Sequence, residues 1–114
     1  MTAMSQVPES DLARIRGFCK TRVPAALLEQ VRIDFRVRGA AVTIVECRPP
    51  WSGDPGGEWT EQPVARMRLD SSGWTLFCFD RNGHAHWYEP GGRGLTVMQA
   101  LAEIEADPTC IFWG

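Results

Sequence analysis

From Val31 to Arg38 apolar and polar residues alternate without a break: Val31, Ile33, Phe35 and Val37 between Arg32, Asp34, Arg36 and Arg38. A period of two is that of a strand with one face buried. Gly39-Ala40 follows as a two-residue turn with glycine in the first central place, as a type II′ hairpin prefers. This register predicts Val37 opposite Val42, Phe35 opposite Ile44 and Ile33 opposite Glu46, on a return strand over 41–48. Pro49-Pro50 removes two backbone donors and ends it. Residues 49–62 form the one long irregular segment, rich in Pro and Gly. Strands are predicted over 64–69 and 74–80, joined by Ser71-Ser72-Gly73. Arg81-Asn82-Gly83-His84 closes the next hairpin, and a fifth strand runs over 84–89.

The flanking segments follow a helical period. Leu12, Ile15, Phe18, Cys19 and Val23 recur at helix spacing, with Arg14, Arg16, Lys20 and Arg22 in the intervening places. Pro8, Glu9 and Asp11 suit a first turn, where a missing donor is harmless and acids favour the positive end. Pro24 interrupts the pattern, with one further short turn expected over 25–30. After the break at 90–94, Thr96-Val97-Met98-Gln99 has the form of a capping box. Val97, Leu101 and Ile104 follow at i, i+4 and i+7, and Asp107-Pro108 stops the helix. The last residues, Cys110-Ile111-Phe112-Trp113-Gly114, are apolar enough that a free tail would promote association, so they are expected to pack down or pair as an edge strand.

Helix, five-stranded meander, helix and tail predict an α+β, two-layer domain with an antiparallel sheet. Phe77 and Phe79 are expected on one face of the fourth and fifth strands, and Trp74, Leu76, Cys78 and Trp87 on the other. Both faces are then apolar, more than two helices and a short tail cover. A groove or a homodimer interface on the second face resolves that.

Length and composition narrow the class. The 114 residues make a single domain, 1–114, with residues 1–7 expected to be disordered. A hydrophobic share of 44% and a charged share of 23% are those of a soluble globular protein. No apolar run approaches the roughly 20 residues that span a bilayer, and the first residues lack the basic and apolar regions of a signal peptide. A cytoplasmic location and no membrane partner are expected. Cys19, Cys47, Cys78 and Cys110 fall in four different elements without a close pair, so buried or half-buried thiols are expected rather than disulfides or a zinc site. A net charge of −2 opposes general polyanion binding but allows a local basic patch.

Three runs, ECRPPW at 46–51, EWT at 58–60 and the terminal DPTCIFWG at 107–114, occur in this order. Together they resemble an uncharacterised bacterial family, domain of unknown function 3024, with a likeness over roughly residues 24–114. The resemblance implies a small bacterial cytoplasmic protein. It implies no activity and no site residue.

Candidate chemistry gathers where the second strand ends. Glu46 closes an apolar row, and a carboxylate so placed has either a raised pKa or a cationic partner. An ion pair with Arg48, Arg66 or Arg68 that locks the loop ranks ahead of a general acid or base. Glu46, Arg48, Trp51, Glu58 and Trp59 form the candidate binding edge, since loop tryptophans anchor partners or cap pockets, although Trp51 and Trp59 folded back over the core rank slightly ahead. An enzyme would use Glu46 and Glu58 for acid–base work and Arg48 to hold an anionic substrate. No recognisable catalytic constellation accompanies them, so no catalytic residue is assigned. His84 and His86, expected on one face beside Phe79 and Tyr88, are the candidate metal ligands. No third ligand stands at diagnostic spacing, and no metal or other cofactor is assigned. Arg32, Arg36 and Arg38 share one strand face and Arg66 and Arg68 another, a nucleic-acid stripe if the strands are neighbours. Asp34 interrupts it and no aromatic residue interleaves it, so a solvated face ranks ahead. GDPGG at 53–57 and GGRG at 91–94 lack the Walker spacing and are turns. The leading expectation is a non-catalytic binding or interaction module, homodimeric through a sheet face, with the 46–60 loop as its recognition edge for an unknown protein or small ligand. A small enzyme and a nucleic-acid binder are the alternatives.

Overall fold

Alternating segments become strands and short turns join neighbours, in a computed structural model that describes residues 6–50 and 57–113. β1 (Arg32–Arg38), β2 (Ala41–Arg48), β3 (Thr60–Asp70), β4 (Gly73–Phe79) and β5 (Ala85–Trp87) form one five-stranded antiparallel sheet in sequence order. α1 (Glu9–Arg22) precedes it and α2 (Val97–Ala106) follows, with short 3-10 turns at Ala25–Leu27 and Glu89–Gly91. The α+β meander is as expected. So is the first hairpin: Val37 faces Val42, Phe35 faces Ile44 and Ile33 faces Glu46. Gly39 has φ 59° and Ala40 stays outside the positive range, as a type II′ turn requires.

Two departures have local causes. β3 starts at Thr60, inside the segment expected to be irregular, and runs through Pro63. The register shifts here: Ile44 faces Ala65 but Val45 faces Pro63, leaving Val64 as the extra residue of a bulge. A bulge tolerates proline because no ladder donor is needed there. The second departure is at the Asn-Gly hairpin. A two-residue turn would set Arg81 opposite His84. Instead Asp80 N–H donates to His84 O at 3.0 Å and Gly83 N–H to Asp80 O at 3.0 Å, giving a longer loop with Gly83 at φ 82°. The Asp80 carboxylate holds this loop by accepting from the N–H groups of Asn82 at 2.8 Å and His84 at 3.0 Å. Phe77 therefore pairs with Trp87, Cys78 with His86 and Phe79 with Ala85. A slip of one residue reverses the facing of a whole strand. Trp87 thus joins Phe77 and Phe79, and His86 lies on the Cys78 face rather than beside Phe79.

Both helices cover the same side of the sheet. Ile15, Cys19, Ala100, Leu101 and Ile104 pack on Val42, Ile44, Met67, Trp74 and Leu76. Val7 is buried in this core, so the segment expected to be disordered contributes a packed side chain. Thr96 and Gln99 form the predicted capping box. The tail packs down rather than pairing as a strand. Asp107, at φ 44°, turns the chain, and its carboxylate accepts from Phe112 N–H at 3.0 Å and Trp113 N–H at 2.9 Å. Phe112 meets Tyr88 with ring centroids 4.8 Å apart, and Arg22 lies 4.3 Å from the Trp113 centroid. Burial, then the hydrogen bond to Glu103, raises the Tyr88 phenol pKa.

All four cysteines are free. Cys19 and Cys47 are buried and Cys78 is half-buried, whereas Cys110, expected to be at least partly covered, is exposed in the turn after α2 with φ 57°. Burial, reinforced by Asp34 and Cys47, pushes the Cys19 thiol up to about 12, and burial also raises Cys47. At pH 8 only about one Cys19 in 10⁴ is then a thiolate. A thiol-exchange reagent should therefore modify Cys110 first and reach Cys19 and Cys47 only after unfolding. A fast phase of unchanged size in Cys110→Ser would contradict this placement.

Candidate functional site

The predicted recognition edge is divided by the sheet. Glu46 continues the core-side row after Ile44, and Arg48 Nε donates to its Oε1 at 2.9 Å. With Val23, Leu27, Ile33 and Trp113 this pair lines a cleft of about 210 Å³. The cationic partner of Glu46 is thus Arg48; Arg66 and Arg68 stand on the other side of the sheet. Such a part-exposed pair is worth at most about 1 kcal/mol. Trp59 is elsewhere: the Arg32 guanidinium lies 4.0 Å from its ring centroid. It lines a cleft of about 340 Å³ at the β1 edge with Cys19, Ile33, Asp34, Cys47 and Glu61. Glu58 is exposed and belongs to neither cleft. Trp51 lies outside the described residues.

The two histidines serve the hairpin. His86 Nε2 is 2.8 Å and His84 Nδ1 3.5 Å from Asp80 Oδ2. The His86 hydrogen bond, with the His84 N–H, holds the Asp80 carboxyl well below the usual carboxylate range. Among the described residues no group of three His, Cys, Asp or Glu side chains is placed to hold a metal ion.

The five arginines of the predicted stripe do share one face, the one without helices. β1 and β3 are not neighbours, but the β2 residues between them are small. Arg36, Thr43 and Arg66 stand in one line across the sheet, and Arg38, Ala41 and Arg68 in the next. At about 4.8 Å per strand the facing arginines are about 10 Å apart, over short side chains. The first line continues through Phe77 to Trp87. Guanidinium groups lie against these rings: Arg66 is 5.3 Å from the Phe79 centroid, Arg68 5.6 Å from Phe77 and Arg93 4.4 Å from Trp87. Aromatic residues therefore border the stripe, Phe77, Phe79 and Trp87 from β4 and β5 on one side and Trp59 beside Arg32 on the other. Arg93, Phe77, Phe79 and Trp87 are the members of this surface that linear reading leaves out. The alternation of Phe77 and Phe79 was a usable signal, but the facing of Trp87 depended on the hairpin slip.

Electrostatically the face is unbalanced. Asp34 and Glu61 both pair with Arg36. Partial burial raises the Asp34 pKa, but the Arg36 and Phe35 N–H hydrogen bonds outweigh it and hold the carboxyl below its usual range. Arg36 is in turn held firmly charged by the two carboxylates. Arg32, Arg38, Arg66, Arg68 and Arg93 make no ion pair among the described residues. Trp87 keeps 39% of its surface exposed. Arg32 Nε donates to Leu28 O at 3.0 Å and Arg66 Nε to Thr43 Oγ1 at 3.4 Å. Delocalised cations, most of them braced on rings, suit anion recognition through their remaining N–H groups.

Among the described residues no helix is long and apolar enough to cross a membrane. No curated protein and no solved structure gives a significant match to this chain. The family model of DUF3024, a domain of unknown function, matches residues 4–114, well beyond the three runs that first suggested it. The chain therefore belongs to the DUF3024 family.

Proposed function

We propose that this protein is a non-catalytic binding module whose working surface is the helix-free face of the sheet and whose ligand is anionic. The row Arg36-Thr43-Arg66-Phe77-Trp87 carries the proposal. A merely solvated face disperses both signs of charge. Here Asp34 and Glu61 collect on Arg36, while Arg66, Arg68 and Arg93 lie over rings without ion-pair partners among the described residues, Asp70 acting on Arg93 only at longer range. A negative net charge of −2 limits such binding to this patch. Glu46 and Glu58 lend no comparable support to acid–base catalysis, since the first is paired with Arg48 and the second lies outside both clefts.

Chromatography on immobilised heparin tests the proposal. Wild-type protein should be retained at about 50 mM salt, and Arg66→Glu with Arg68→Glu should pass through, an expected loss of about 100-fold in affinity. Arg14→Glu with Arg16→Glu, on α1, should change retention little. Equal retention of both variants would remove the assignment to this face.

Self-association is the second reading, favoured by the exposure of Trp87 beside Phe77 and Phe79 on a face that no helix covers. The protein would then be a homodimer. On either reading a bacterial cytoplasm is the natural setting, because free thiols stay reduced there.

A further inference from the structure

The geometry points to single-stranded nucleic acid as the ligand of the helix-free face, an inference that rests on the anion-binding proposal above. A stacked guanidinium has one plane against its ring and one plane outward. The outward plane receives a base, while the N–H edges reach phosphate oxygens. Three guanidinium groups lie over rings along this face: Arg66 and Arg68 of β3 over Phe79 and Phe77 of β4, and Arg93, in the segment before α2, over Trp87 of β5. Phe77 and Phe79 are two residues apart on β4, a spacing of about 7 Å. That is about twice the stacked rise of 3.4 Å per nucleotide, a separation that an unstacked strand reaches and a duplex does not. Duplex reading requires an element that enters a groove, whereas these side chains stand on the face of a sheet. A sulfated glycan satisfies the charge but leaves the planar surfaces and the exposed Trp87 ring without partners.

Fluorescence anisotropy with a labelled, mixed-sequence 15-nucleotide strand, as DNA and as RNA, tests this against the same sequence as a duplex. The single strand should bind at least tenfold more tightly than the duplex and quench tryptophan emission. With about four phosphates neutralised, its affinity should fall about 50-fold between 50 and 200 mM salt. Arg66→Lys with Arg68→Lys keeps the charge and removes the planes; it should weaken the single strand about tenfold yet stay on heparin. Duplex binding as tight as the single strand, or a lysine variant that binds it normally, overturns the inference and leaves anion binding intact. Absence of heparin retention by folded wild-type protein overturns both. A stable dimer in sedimentation that shields Trp87 from acrylamide also overturns both and gives the face to a second copy. The strand comparison needs no variant, so a misfolded mutant does not obscure the result.

Discussion

Trp74→Ala should lower the melting temperature by on the order of 15 °C. Trp74 is the largest fully buried side chain, 1% exposed, on β4 beneath the helices. Its indole Nε1 donates to Asp11 Oδ2 at 2.8 Å, tying the first turn of α1 to the sheet. Truncating a buried tryptophan costs about 3–5 kcal/mol, and the lost hydrogen bond adds about 1 kcal/mol. A domain of this size has only about 5–15 kcal/mol in total. Trp74→Phe, which keeps most of the volume and loses the N–H, should fall well short of that. Calorimetry of the two variants separates packing from hydrogen bonding. A shift under about 5 °C for the alanine variant would show that the core closes over the gap.

Gly73→Ala is expected to destabilise by about 2–4 kcal/mol, although it adds one methyl group. Gly73 opens β4 at φ 130°, a conformation that L side chains rarely adopt. A Cβ there would stand 2.8 Å from both Gly94 C and Leu95 O, which are backbone atoms and cannot swing away. The same backbone forms the bridge between Trp74 and Leu95, through hydrogen bonds of 2.8 and 2.9 Å. This bridge sets the chain just before the Thr96 cap of α2. The methyl must break it or twist β4, and either disturbs Trp74. Denaturant unfolding gives the measurement, and a midpoint unchanged from wild type would refute the clash. Gly17→Ala is a useful contrast: no atom lies within 4 Å of its added Cβ, and alanine in a helix should stabilise by about 0.5–1 kcal/mol.

Much of the fold is legible because its determinants are local. The β1–β2 register follows from an unbroken alternation and a glycine in the one turn position that demands it. The cap of α2 lies within four consecutive residues. The candidate site is less legible, since its members meet only across strands. Alternation puts Glu46 on the core-side row, but its partner depends on which arginine shares that row, and this is Arg48. The facing of Trp87 turned on Asp80, whose carboxylate lengthens the hairpin loop and so reverses β5.

Periodicity and turn chemistry alone determined the number and order of elements, the antiparallel meander and the first hairpin, because each is written in contacts a few residues long. The tertiary structure decided that both helices cover one face. It inserted the bulge that admits Pro63 into β3 and set Arg66 between Thr43 and Phe77. Those outcomes depend on cross-strand register, which one extra residue in a loop or bulge can invert. The arginine and aromatic surface exists only once that register is set.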